Sequence, residues 1–298
     1  MIYRIGKVLL DYPPRQLLYL ARRRALKQQR AEFDAQHPCV FVLSTGRTGT
    51  QTLAALYELA GNVFAYHEPN PELTALSKLA YEYNDRYTEN GAVGSVFREA
   101  FLTSRRHLFN YALDCGRGYV ETTPQNTFLA PVIADAVPVV RFIHVVRDPR
   151  YVVRSAMRRR WYDGNPNDET RIIPSRDSTS GQYWATYNSF LKNLWLWSET
   201  NRWILDFSSH MPDRVCLIRA EALFNGDADT LGKLYGFIGA ALPSPAKIRR
   251  VLDKQLNAQH TGSFPESNDW TAEMYDQLRA LAGETAAALG YSFETNGS

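Results

Sequence analysis

The chain is poor in cysteine and lacks long apolar runs. Its 298 residues include three scattered cysteines, Cys39, Cys115 and Cys216. This odd number supports neither a disulfide framework nor a metal-ligand cluster, and it favours a reducing compartment. No apolar run is long enough to span a bilayer. The first residues lack the ordered basic, apolar and small-residue regions of a secretory signal. We therefore expect a cytoplasmic protein.

Charge of either sign is also limited. Lys and Arg total 34 against 31 Asp and Glu, so the formal net charge is +3. This balance is far from the basic density of a nucleic-acid-binding domain, and we expect no nucleic-acid partner. The 45% hydrophobic content is ordinary for a globular chain that can form a full core.

A basic segment precedes the first strong strand pattern. Residues 1–37 contain a Pro-Pro pair followed by leucines that alternate with arginines and lysines, which predicts a basic N-terminal helical extension. Such a helix can contact an anionic membrane surface, here the inner face of the membrane. The pattern favours the alternative of a helix packed on the domain with a solvated basic face. No linker divides residues 38–298, which we expect to form a single domain.

Strand and helix patterns alternate from residue 39 onward. The stretches CVFVLS, NVFAY, GYVE, VVRFIHVV and RVCLIR are short and apolar, and helical patterns separate them. This rhythm predicts an α/β fold with three layers, in which helices cover both faces of a mainly parallel sheet. The stretch YVVRSAMRRRWY predicts a helix, and its three consecutive arginines suggest a solvated face or, alternatively, an acceptor site. The polar segment 163–181 has no periodicity, which is typical of a disordered loop or a functional lid.

Polar residues follow four of the predicted strands. STGRTGTQT follows the first strand, His67 and Glu68 follow the second, the stretch 121–124 (ETTP) follows the third, and Arg147 follows the fourth. Ligands of open parallel sheets bind outside the carboxyl ends of the strands. We therefore expect phosphate-binding amides, an acid/base pair, hydroxyls and a fixed cation at one edge.

The first of these segments has the context of a phosphate loop but lacks its lysine. In FVLSTGRTGTQTL an apolar strand runs into a glycine-containing turn and then a helix, where backbone amides can hold phosphate. A nucleotide triphosphatase requires G-x-x-x-x-G-K-[ST], whereas Arg47 stands here between Gly46 and Gly49. The missing lysine disfavours an ATP-dependent phosphotransferase. A non-catalytic nucleotide-binding protein is the other alternative.

Two separate segments resemble the sulfotransferases that use 3′-phosphoadenosine 5′-phosphosulfate (PAPS). STGRTGTQT is similar to their loop for the 5′-phosphosulfate, and RDPRYVVRS is similar to their 3′-phosphate motif, with Arg147 at a strand end and Ser155 eight residues later. A helix opened by Pro149 would turn both side chains to one side. Weaker similarity extends through LIRAEALF to the C-terminal Leu-Gly-Tyr, closest to bacterial and carbohydrate sulfotransferases. The resemblance implies their P-loop NTPase-like fold.

The same resemblance implies which residues hold the donor and its product, adenosine 3′,5′-bisphosphate (PAP). Arg147 and Ser155 would hold the 3′-phosphate, unless Arg147 pairs with Asp148 instead. Because arginine stays protonated, Arg47 is expected to act electrostatically at the reacting bond. No metal is expected. The predicted 5′ site comprises Thr45, Gly46, Arg47, Thr48, Gly49, Thr50, Gln51 and Thr52.

His67 and Glu68 are the candidate bases that would activate an acceptor hydroxyl or amine. The resemblance favours Glu68, because carbohydrate sulfotransferases often carry Glu-Pro after this strand; His67 would orient Glu68 or act as the base itself. Thr122 stands where relatives carry the lysine of Glu-Lys-Thr-Pro, so no second catalytic cation is expected there. The acceptor class implied is a carbohydrate, a lipid or another small molecule.

Overall fold

The computed structural model describes residues 32–83, 92–254 and 262–293. Most of the predicted N-terminal extension lies outside these residues, and the division at residue 38 stays a prediction. Within the described part of the chain, no helix is both long enough and apolar enough to cross a membrane.

Five strands form one fully parallel sheet. Their order across the sheet is β2-β3-β1-β4-β5, so β1, the strand that precedes the phosphate-loop-like turn, is central. Each strand coincides with one of the apolar runs, which confirms the α/β fold with a parallel sheet. The strands are β1 (Cys39–Leu43), β2 (Val63–Tyr66), β3 (Gly118–Glu121), β4 (Arg141–Val146) and β5 (Val215–Arg219).

Helices pack on both faces of this sheet. The helices of the described residues are α1 (Thr50–Glu58), α2 (Thr74–Glu82), α3 (Ala92–Asp114), α4 (Ala130–Ala136), α5 (Pro149–Arg158), α6 (Thr179–Tyr183), α7 (Ser189–His210), α8 (Ala220–Phe224), α9 (Ala228–Phe237), α10 (Pro245–Leu252) and α11 (Ala272–Ala288). Short 3₁₀ turns occupy Pro124–Leu129, Asp168–Thr170, Pro212–Arg214 and Ser267–Asp269.

The central strand β1 is buried on both faces because its side chains alternate between two cores. Phe41 and Leu43 pack with side chains of α3, α4 and α7. Val40 and Val42 pack with side chains of α1, α9 and α10 on the opposite face. All four are fully buried, and complete burial of such a side chain contributes about 1.5–3 kcal/mol. Because β1 is buried on both faces, the position of the loop that follows it is fixed relative to the sheet.

The polar segment 163–181 is folded, although its sequence has no periodicity. Asp168 organises its first half, since its carboxylate accepts hydrogen bonds from the amides of Tyr162 and Asn165 and pairs with Arg171. Lys78 of α2 donates to the carbonyl of Glu169 over 2.7 Å. Polar side-chain bonds hold this segment, and hydrophobic periodicity cannot detect them.

Candidate active site

The carboxyl ends of β1 to β4 open into one cavity of about 1080 Å³. Segments following all four strands line it, including Gly46 after β1, His67 after β2, Pro124 after β3 and Arg147 after β4. The parallel topology therefore brings the four segments together, as strand direction alone requires.

The loop after β1 is a tight turn in which three residues have left-handed backbone. The φ angles are 78° at Gly46, 60° at Arg47 and 88° at Gly49. Such turns gather successive amides around one concavity. Gly49 caps α1, and no side chain caps this helix, so the first amides of α1 remain available to a ligand. Of the eight predicted loop residues, seven line the cavity, whereas Thr48 is fully buried and does not.

Hydrogen bonds join the two distant sequence motifs. The Nε of Arg47 donates to the Oγ of Ser155 over 2.9 Å. The Nη1 of Arg147 donates to the carbonyl oxygen of Arg47 over 3.1 Å. The loop after β1, the end of β4 and helix α5 therefore meet at Arg47.

The side chain of Arg147 remains on the cavity wall instead of pairing with its neighbour. Asp148 is engaged by Arg150, whose amide and guanidinium both donate to it. The Arg147 guanidinium lies 5.2 Å from the ring of Tyr151 and 5.3 Å from the ring of Phe224. These aromatic faces hold the cation in place while leaving it able to bind an anion.

A second set of bonds fixes the end of β4. Glu221 accepts from the amide of Asp148 and from the hydroxyl of Tyr291. The indole nitrogen of Trp197 donates to the carbonyl of Arg147 over 2.9 Å. The weaker similarities, around LIRAEALF and the C-terminal Leu-Gly-Tyr, thus lie where they position Arg147.

His67 is held by the end of β3. Its Nδ1 lies 3.1 Å from the carbonyl oxygen and 3.2 Å from the hydroxyl of Thr122. Its Nε2 lies 3.9 Å from Glu68 Oε1. The amide of Glu68 donates to the hydroxyl of Thr123, and Glu68 has a left-handed φ of 50°. A non-glycine residue in this region is strained, and such strain concentrates at functional sites.

A fully buried ion pair lies beneath these residues. Both oxygens of Glu121 accept from Arg105, and they also accept from Tyr119 and Asn126. The remaining arm of Arg105 donates to the carbonyl of Pro71 over 3.0 Å. This network anchors the segment that follows Glu68. The sequence gives no sign of Arg105, which lies inside α3 sixteen residues before its partner.

The cavity concentrates positive charge where a loop of this kind binds anions. Burial lowers the pKa of Arg47 to about 10, and repulsion by Arg159 and Arg147 adds to this effect, while Glu68 opposes it. The guanidinium still carries its charge at neutral pH, so like charges are held together at a cost in energy. A bound phosphate or sulfate would relieve that repulsion, and the residues present therefore fit an anionic donor.

Acidic and metal-ligating side chains are sparse around this charge. Among the residues that the structure describes, no group of three or more His, Cys, Asp or Glu side chains is placed to hold a metal ion.

Fold and site together define a P-loop-like α/β protein whose loop carries arginine in place of the nucleotide-binding lysine. Residues 38–244 match the profile of a family described as the sulfotransferase family. This match spans more than half of the chain, so the chain belongs to the sulfotransferase family, which consists of transferases of the sulfuryl-transfer type.

Solved structures of two sulfotransferase domains are similar in fold. The sulfotransferase domain from the curacin biosynthetic pathway matches with a TM-score of 0.52 and 16% identity, over 87% of this chain and 99% of that one. The sulfotransferase domain from the Synechococcus PCC 7002 olefin synthase matches with a TM-score of 0.50 and 15% identity, over 90% of this chain and 100% of that one. Among curated protein sequences no significant match was found.

Proposed function

We propose that the chain transfers a sulfuryl group from PAPS to a hydroxyl or amine of a carbohydrate, lipid or small-molecule acceptor, and releases PAP. The observation that carries this proposal is the contact of Arg47 with Ser155 and of Arg147 with Arg47. These contacts support the proposal because they join the loop expected to bind the 5′-phosphosulfate to the two residues expected to bind the 3′-phosphate. A donor with phosphates at both ends of one ribose requires such proximity.

Each donor group would meet a matching set of protein groups. The loop amides and the N-terminus of α1 would bind the 5′-phosphosulfate, with the hydroxyls of Thr50 and Thr52 beside them. Arg147 presents a planar fork, which suits a phosphate better than a point charge does. Arg47 would stabilise charge on the leaving phosphate without transferring a proton.

His67 is the base that the hydrogen-bond geometry supports. A carbonyl oxygen can only accept, so the bond to Thr122 requires a proton on Nδ1 of His67. The neutral ring then carries its lone pair on Nε2, which faces Glu68. His67 would take the acceptor proton at Nε2, and Glu68 would stabilise the resulting imidazolium. The resemblance instead favours Glu68 as the base and His67 as the residue that orients it.

The reaction then balances at three positions. The acceptor oxygen or nitrogen forms a bond to sulfur, and its proton passes to Nε2 of His67. The bond between sulfur and the bridging oxygen breaks, and its electron pair stays on the 5′-phosphate, next to Arg47. The base and the leaving-group cation thus act at opposite ends of an in-line displacement.

Calorimetric titration tests the donor assignment. PAP should bind more tightly than ATP with magnesium, because the site offers two anion-binding regions and no Gly-Lys-Ser/Thr loop. Tighter binding of ATP with magnesium would instead support the phosphotransferase alternative and refute the proposal.

Transfer of labelled sulfate to a panel of sugars, lipids and phenols tests the reaction and its base. His67→Ala should keep PAP affinity and lower kcat roughly 100-fold, which is typical for loss of a general base. Glu68→Gln, which keeps the shape of the side chain, should cost less. If His67→Ala transfers at the wild-type rate while Glu68→Gln does not, Glu68 is the base.

A further inference from the structure

The turn that carries Gln125 lies beside both the loop after β1 and the candidate base. Gln125 follows Pro124, the first residue of the 3₁₀ turn after β3. A Cβ added to Gly46 would lie 3.7 Å from the Pro124 side chain. On the other side, Gln125 Nε2 donates to Glu68 Oε1 over 3.3 Å, and the same carboxylate oxygen lies 3.9 Å from His67 Nε2. One oxygen atom of Glu68 therefore links Gln125 to the candidate base.

The bond to Glu68 fixes the orientation of the Gln125 amide. A carboxylate oxygen can only accept, so the amide nitrogen faces Glu68 and the amide oxygen faces away from it. That oxygen is buried, and no residue that the structure describes donates a hydrogen bond to it. Gln125 lines the cavity. Buried polar atoms are nearly always paired, so an unpaired one in a cavity wall indicates a ligand that supplies the missing donor.

A second unpaired oxygen lies in α2. Ser77 is 3% exposed and lines the same cavity. Its hydroxyl, like the amide oxygen of Gln125, has no hydrogen-bond partner within residues 32–83, 92–254 and 262–293. A serine hydroxyl can donate and accept, so it can bind a ligand hydroxyl in either orientation.

An aromatic contact places α2 alongside the turn that carries Gln125. The ring of Tyr81 lies 4.9 Å from the ring of Phe128. Ser77 lies four residues before Tyr81, on the same face of α2. Gln125 lies three residues before Phe128, on the same side of its 3₁₀ turn. The two unpaired oxygens therefore lie on facing surfaces that border the cavity.

We propose that Gln125 determines acceptor specificity, because its amide oxygen binds an acceptor hydroxyl that lies next to the reacting one. This inference rests on the proposed function. His67 would take the proton of the reacting hydroxyl, Gln125 would accept a hydrogen bond from a neighbouring hydroxyl, and Ser77 would bind a further one. The acceptor class is then a polyhydroxy compound, that is, a sugar or another polyol.

The polar wall disfavours acceptors that carry a single hydroxyl. A phenol or a fatty alcohol would leave the oxygens of Gln125 and Ser77 buried without a partner. Sites built to bind a hydroxyl discriminate against a ligand that lacks it for this reason. The other residues of α2 that line the cavity, Thr74 and Lys78, are also polar. This wall therefore offers no apolar surface to a lipid chain.

The test compares Gln125→Met with Gln277→Met. Methionine keeps the length of the side chain and removes both polar atoms of the amide. Gln277 is a matched control, because it also donates to a glutamate carboxylate, that of Glu273 over 3.1 Å, but on the exposed surface of α11. Labelled transfer measures kcat and KM with cyclohexanol, cis-1,2-cyclohexanediol, myo-inositol and phenol. The first three share one ring and differ in the number of hydroxyls.

The wild-type chain should have a kcat/KM for the diol and for inositol roughly 10-fold above that for cyclohexanol, the effect of about one hydrogen bond. Gln125→Met should remove that preference, and Gln277→Met should keep it. Ser77→Ala should reduce the preference for inositol over the diol. The ratio of diol to cyclohexanol within one variant cancels any effect of the substitution on Glu68 or His67, because both acceptors use the same base.

The inference is overturned if Gln125→Met keeps the wild-type ratio, or if the wild-type chain uses cyclohexanol or phenol as well as it uses the diol. A wild-type chain that binds PAP in calorimetry but transfers to neither polyhydroxy acceptor also overturns it, while the donor assignment stands. Thermal melting followed by circular dichroism identifies a variant that has lost its fold, and Gln125→Ala then carries the same comparison. A wild-type chain that does not bind PAP overturns the proposed function itself, and the role of Gln125 with it.

Discussion

Removing the carboxylate of Glu121 should destabilise the chain more than removing it together with its cationic partner. Glu121 and Arg105 are both 0% exposed and are joined over 2.7 Å. Glu121→Ala leaves a buried guanidinium without its counter-charge, which costs about 3–5 kcal/mol. The hydroxyl of Tyr119 and the amide of Asn126 also lose their acceptor. The loss is therefore a large fraction of the roughly 5–15 kcal/mol that stabilises a typical domain.

The double variant Arg105→Met/Glu121→Leu removes both charges and keeps most of the side-chain volume. Replacing a buried pair by apolar residues is often neutral or stabilising. The double variant should therefore recover at least about 2 kcal/mol relative to Glu121→Ala. Full recovery is not expected, since Tyr119 and Asn126 remain without their acceptor in both variants.

Urea unfolding followed by circular dichroism measures these differences. Asp276→Ala serves as a control, because Asp276 is 72% exposed and pairs with Arg279 at the surface; loss of such a pair costs about 1 kcal/mol or less. A double variant as unstable as Glu121→Ala would refute the reasoning, because the unpaired charge would not then be the source of the loss.

Three further predictions concern the core and the loop. Burial lowers the pKa of His144 to about 4 from its ordinary 6.5. The unfolded chain therefore binds this proton first as pH falls, and the free energy of unfolding drops by about 3 kcal/mol between pH 6.5 and 4. His144→Gln should flatten that slope when urea unfolding is measured against pH. Gly49→Ala should lower the melting temperature and PAP affinity more than Gly46→Ala. Both positions have positive φ, but an added methyl lies 2.4 Å from a phenyl ring only at Gly49. Equal losses in the two variants would contradict this prediction. Arg147→Ala should weaken PAP binding, measured by calorimetry, more than it lowers kcat at saturating donor. Arg47→Ala should lower kcat more than it weakens PAP binding. The same effect from both variants would contradict the separate roles of the two arginines.

Local patterns were sufficient for the framework of this protein. The five apolar runs gave the strands, and their alternation with helices gave the parallel sheet, because burial on both faces requires continuous apolar residues. The spacing of Arg147 and Ser155 predicted that both face one side, and both line the cavity. His144 of β4 and Trp197 of α7 are almost completely buried in the core.

Only the tertiary structure decided how charged side chains pair across the sheet. Arg105 meets Glu121, and Arg47 meets Ser155. The tautomer of His67 likewise follows from a carbonyl 55 residues away. Strand and helix propensities act over a few residues, whereas these contacts depend on topology and on the order of strands. The sequence by itself therefore determined the sheet and the edge that holds the candidate site, and tertiary packing decided which side chains contact each other there.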